Sequence, residues 1–155
     1  MIRQELRKAG SKMKAVMFSI NRPHTDNMKI GAKTSELRTR PPKTKEPYPA
    51  YIYETLKNGG CGKVIGEFTA YNENTYRMCV GVPRHLVLTG CISVAEIRVY
   101  TNNGAKDLTE ISISDLVIYD IPKELSEFNK YGFSHPVPLK RPPQSWCYVE
   151  RLGEG

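Results

Sequence analysis

The chain has 155 residues, of which 39% are hydrophobic and 25% charged, and a formal net charge of +7. That length suits one domain that buries a core without disulfide or metal staples. No stretch approaches the roughly 18 continuous apolar residues of a membrane span, and the apolar run Ala15 to Ile20 is too short for a signal peptide, so a cytoplasmic protein is expected.

Residues 1–13 are basic and polar and read as an N-terminal extension. Lys14 to Ile20 reads as a largely buried strand. Asn21-Arg22-Pro23 offers a helix start, with a capping Asn and a Pro in the first turn. The helix should run to about Ile30 and stop at Gly31. A charged strand, 34–40, follows, and the repeated prolines of Pro41 to Pro47 make a loop. Tyr51 to Leu56 and Gly62 to Tyr71 read as a hairpin around Asn58-Gly59-Gly60. Residues 77–88 carry no clear signal. Ser93-Val94-Ala95-Glu96 is a capping-box pattern that opens a helix to about Thr101. Ile111, Ile113, Leu116 and Ile118 alternate with a slip of phase at Ser114-Asp115, which predicts a β-bulge. Pro122 to Lys130 reads as a short helix, His135 to Pro143 as a loop, and Ser145 to Arg151 as a final strand, leaving 152–155 as a tail. Short helices among strands predict an α+β domain over 14–151, a small, partly closed barrel of about five or six strands.

The charge is unevenly placed. Residues 22–45 carry a net +5, residues 1–14 a net +4, and the remainder −2. A basic surface on a nearly neutral body suggests a polyanionic partner, nucleic acid first, or else a solvated surface that aids solubility. Cys61, Cys79, Cys91 and Cys147 form no C-x-x-C pair and no zinc spacing. Free thiols, no metal and no cofactor are expected; there is no Walker loop or dinucleotide fingerprint.

The densest chemistry lies in Gly31-Ala32-Lys33-Thr34-Ser35-Glu36-Leu37-Arg38. In a strand, Glu36, Arg38 and Arg40 share one face while Leu37 points the other way. Lys33 could contact a phosphate, or serve as a base if burial lowered its pKa; equally, it could sit at a helix C-terminus. Glu36 could accept from a base amino group, act as an acid or base, or simply pair with Lys33 or Arg38. The fork of Arg38 suits a phosphate, a base edge or a structural ion pair. Trp146, the only tryptophan, and Tyr53 are candidates for stacking a base or for the core. Arg22 and Arg141 extend the basic surface.

The spacing Gly31, Lys33, Glu36, Arg38 resembles the Gly-x-Lys-x-x-Glu-x-Arg motif of the ASCH domain family, a branch of the PUA-like barrels. Tyr51-Ile52-Tyr53-Glu54-Thr55 and Gly62-Lys63-Val64-Ile65-Gly66-Glu67-Phe68 support the match. Ile113 to Asp120 with Pro122, and Lys140 to Glu150, are similar to a subgroup of bacterial and phage-derived proteins. The resemblance implies a PUA-like barrel with a cleft lined by the charged motif, and RNA or nucleotide binding linked to translation or its regulation. Lys33, Glu36, Arg38, Arg22, Arg40, Tyr53 and Trp146 are then the candidate binding residues. Some family members are amidohydrolases acting on N4-acylated cytidine, which would make Lys33 and Glu36 the candidate catalytic pair; here Glu36 stands where those members carry Thr. A protein-interaction adaptor is the third alternative.

Overall fold

Runs of buried residues in three strands set the architecture, seen in a computed structural model that describes residues 12–153: β1 (Lys14–Ile20), β2 (Ser35–Arg38) and β3 (Tyr48–Glu54) are buried almost throughout. Most of the expected N-terminal extension and the end of the tail lie outside these residues. Six strands form one mixed sheet in the order β2-β5-β4-β3-β1-β6. They are β1 (Lys14–Ile20), β2 (Ser35–Arg38), β3 (Tyr48–Glu54), β4 (Lys63–Tyr76), β5 (Leu108–Lys123) and β6 (Trp146–Glu150). β1 and β3 run parallel; the remaining neighbours are antiparallel. Three α-helices accompany them among the described residues: α1 (His24–Lys29), α2 (Arg84–Gly90) and α3 (Val94–Tyr100).

The sheet is covered on both sides, which is why β1 reads as an unbroken apolar run. Val16, Phe18 and Ile20 join Ala50, Ile52 and Phe68 in one cluster. Ala15 and Met17, on the opposite side of the strand, join Tyr51, Phe128 and Leu139 in a second. A third cluster seats the helices, with Leu86 of α2 and Ile97 of α3 against Leu37 and Leu108. The capping box of α3 is present, Ser93 accepting from the Glu96 backbone N–H. α1 ends where Gly31 takes φ +77°, a left-handed conformation that glycine adopts without steric cost.

The expected bulge sits at the foreseen place. Thr69 pairs with Ser114 and Glu67 with Val117, so β5 carries an extra residue there, and Asp115 takes φ 51°. The sequence around 122–130 behaves differently from the expected helix. β5 runs on to Lys123, and only a single 3-10 turn, Leu125–Glu127, follows. Phe128 leaves that turn extended and fully buried, accepting from the Leu139 backbone N–H. Burial of one large ring outweighs local helix propensity, a small term per residue.

The two edge strands, β2 and β6, form no backbone ladder with each other. Side chains stitch the gap instead. Arg38 Nη1 donates to the Ser145 carbonyl at 3.2 Å and to its Oγ at 3.0 Å. Trp146 Nε1 donates to the Arg40 carbonyl at 2.7 Å, and the Lys43 backbone N–H donates to the Tyr148 hydroxyl at 3.1 Å. The sheet is not closed by backbone pairing, and aromatic and guanidinium donors and acceptors bridge its seam.

β4 and β5 approach so closely at Gly66 that a Cβ there would lie 2.4 Å from the Val117 carbonyl oxygen. Gly66→Ala should therefore lower stability by about 1–3 kcal/mol in urea unfolding. Gly153→Ala, where a Cβ meets open space, should leave the midpoint unchanged; equal midpoints for both variants would contradict this packing.

Candidate functional site

The motif residues are delivered by the end of α1, the turn after it, and β2. The Lys33 backbone N–H donates to the Asn27 carbonyl, which folds the turn back on α1. Ser35, two residues on, lies within hydrogen-bond distance of Glu110 of β5, at 3.0 Å, and of the Thr89 hydroxyl of α2, at 2.8 Å. These bonds bring the C-terminal end of α2 over β2. Lys33 Nζ donates to the carbonyl of Gly90, the last residue of that helix, at 2.9 Å. The ammonium thus occupies the negative end of a helix dipole.

Lys33, Glu36 and Arg38 converge. Lys33 Nζ lies 3.4 Å from Glu36 Oε1, and Arg38 Nη2 lies 2.8 Å from Glu36 Oε2. All three are buried, at 3%, 5% and 8% exposure. Burial alone would raise the carboxyl pKa of Glu36. The charges of Arg38 and then Lys33 outweigh that effect and hold it at about 2. Arg38 also donates through Nη2 to the Ser19 carbonyl at 2.9 Å, and its guanidinium lies 5.1 Å from the Phe18 ring centroid. With Nε on Glu36 as well, protein acceptors take up the fork of Arg38.

Above this triad lies a recess of about 250 Å³. Lys33, Glu36 and Arg38 contribute to its wall, as do Asn21, His24 and Tyr100. Ile20, Leu37 and Ile92 supply apolar surface. Its volume is near the lower limit of small-molecule sites, roughly 300–1,000 Å³. His24 Nδ1 is buried and has no hydrogen-bond partner in the protein. Desolvation, then the charge of Lys33, lowers the His24 pKa, so the ring is neutral near pH 7.

The remaining sequence candidates lie elsewhere. Arg22 pairs with Asp26 at 3.0 Å and donates to the Gly59 carbonyl. Arg40 is exposed, beyond the triad at the seam. Tyr53 is 5% exposed in the second core cluster, and Trp146 packs against the first, half-buried. None of these four lines the recess. His24, Asn21 and Tyr100 line it without having been singled out from the sequence. Only the fold brings them there; a lone His after Pro23 and a Tyr at the end of α3 carry no local mark. Among the described residues no His, Cys, Asp or Glu group is arranged to hold a metal.

Neutralising Glu36 would strand two buried cations, so Glu36→Gln should cost about 3–5 kcal/mol, measured by urea unfolding at pH 7. A carboxylate with a depressed folded pKa stabilises the fold above its unfolded value near 4.3 and loses that contribution as pH falls toward 2. The wild-type chain should therefore lose stability steeply between about pH 4.5 and 2, and Glu36→Gln less steeply. Parallel pH profiles would contradict the assignment.

No protein-family model matches the sequence, and no curated protein matches it. Solved structures do. The ASCH protein from Zymomonas mobilis superimposes with a TM-score of 0.63 at 18% identity, covering 88% of each chain. A serine-to-alanine variant of that protein gives a TM-score of 0.67 at 19% identity, covering 90% of this chain and 91% of that one. A tyrosine-to-phenylalanine variant gives 0.60 at 18%, covering 88% and 91%. At that identity the likeness speaks for architecture alone, and over nine-tenths of its length this chain has the fold of an ASCH domain.

Proposed function

We propose that the chain is an RNA- or nucleotide-binding module whose recess takes a single base, in a role linked to translation or its regulation. The observation that carries this reading is the recess over Lys33, Glu36 and Arg38, with the His24 ring in its wall. Its volume suits one planar group, its wall mixes apolar and hydrogen-bonding surface, and the chain bears +7 overall. Lys33 retains a proton beyond those given to Gly90 and Glu36. That proton is suited to an acceptor on the polar edge of a base. Arg38, spent on protein acceptors, acts as the positioning group. Arg22 and Arg40 belong to the outer basic surface, where phosphates would pass.

Amidohydrolase chemistry on acylated cytidine is not favoured. A carboxyl held at about 2 by two cations has no proton to give at neutral pH and is a weak base. The Lys33 Nζ is already engaged by the Gly90 carbonyl and the Glu36 carboxylate.

A mixed-sequence RNA oligomer should bind, and its affinity should fall at least tenfold between about 50 and 200 mM salt through counterion release. His24→Ala should weaken binding by about tenfold without lowering the melting temperature, because the ring lines the recess, is only half-buried and makes no Nδ1 hydrogen bond that its loss would break. Absent or salt-independent binding, or a His24→Ala variant that binds like wild type, would overturn the reading.

A further inference from the structure

β6 begins beside Arg38, which lines the recess. Ser145, immediately before the strand, accepts from Arg38. Trp146 and Tyr148 then fall on one face of the strand, two residues apart, both half-buried against the first core cluster. Their rings meet edge to face, with centroids 5.0 Å apart. Lys14 Nζ lies 4.6 Å from the Tyr148 ring centroid and 5.7 Å from that of Tyr131. Tyr131 is 37% exposed, and its backbone N–H donates to the Tyr148 carbonyl. The rings therefore follow one another away from the recess in the order Trp146, Tyr148, Tyr131.

Cations accompany them. Arg40 is exposed, and its carbonyl holds the Trp146 indole. Lys43 is exposed, and its backbone N–H holds the Tyr148 hydroxyl. Lys130 is exposed beside Tyr131 and pairs with Val149 in an isolated bridge. Glu150, opposite Lys14 in the β1–β6 register, is the carboxylate at the far end of the strip, and it is buried at 9% exposure.

We infer that the strip Trp146–Tyr148–Tyr131, flanked by Arg40, Lys43, Lys14 and Lys130, is a second binding surface that carries the single-stranded nucleic acid onward from the base held in the recess. It rests on the nucleic-acid reading above and extends it from one base to several. Ring faces stack bases of any sequence, and cations placed between them follow the phosphates. A duplex, whose bases are already stacked on one another, offers no free face. The polar handles of Trp146 and Tyr148 are engaged by the 40–43 segment, which fixes both rings in place before any strand arrives.

Trp146 is the only tryptophan, so its fluorescence reports on the strip directly. The full chain is titrated with uridine monophosphate, an eight-residue oligouridine, an eight-residue oligothymidine and an RNA duplex of the same length. The oligouridine should quench Trp146 and bind at least tenfold more tightly than the monophosphate. The oligothymidine should do likewise, and the duplex should bind at least tenfold more weakly than either. Tyr131→Ala, at an exposed ring, should weaken oligouridine binding by about tenfold and leave monophosphate binding unchanged. Equal affinity for monophosphate and oligomer, a duplex that binds as tightly as the single strand, or a Tyr131→Ala variant indistinguishable from wild type would overturn the inference. Oligomer binding that depends on Tyr131 with no monophosphate binding would remove the recess reading and leave the strip. Monophosphate binding sensitive to His24→Ala, with no gain from length, would do the reverse.

Discussion

A single carboxylate organises one end of this molecule. Glu36 lies between Lys33 and Arg38, out of water, and neither cation would be tolerable there alone. Each partner then reaches a different part of the fold. Lys33 grips the last carbonyl of α2, and Arg38 grips the carbonyls of Ser19 and Ser145. The helix layer, the end of β1 and the entrance of β6 are all referred to that carboxylate. Such a cluster does not by itself stabilise a fold more than apolar packing would. Its value lies in fixing one arrangement, and the recess is the cavity left above it.

The same cluster explains how the two free edges of the sheet are bridged. An unpaired edge strand exposes backbone groups that invite association with another chain. Here β2 has four residues, and Arg38, Trp146 and Tyr148 supply the cross-links that a backbone ladder would otherwise provide. Side-chain stitching leaves the aromatic rings at the seam rather than in the deep core. Trp146 consequently holds both roles open to it from the sequence, packed against the core on one side and partly exposed on the other. Because protein acceptors hold Lys33 and Arg38 in place, an incoming base would meet a preformed surface with little reorganisation to oppose binding.

The convergence of Lys33, Glu36 and Arg38 was legible because it depends on local rules alone. Gly31 ends a helix, and strand alternation puts positions 36 and 38 on one face. The bulge at Asp115 was legible for the same reason, since a slip of phase in an alternating strand has few other solutions. The partners were not legible. Gly90 lies 57 residues from Lys33, and Ser145 lies 107 from Arg38; neither carries any local signal of its role. His24 was hidden likewise, because lining a recess is a property of the packed fold. The segment after Pro122 misled through its composition. Its helix-forming residues surround Phe128, and the site that buries that ring is built from strands distant in sequence.

The central claim is that Glu36 remains ionised inside the protein because two buried cations hold it so. Carbon-13 NMR of the labelled Glu36 carboxylate, followed downward from pH 7 while the chain stays folded, tests it most directly. The carboxylate should keep an ionised shift through pH 4 and down to acid unfolding, in keeping with a pKa of about 2. A titration step centred near 4.5 in the folded protein would contradict it.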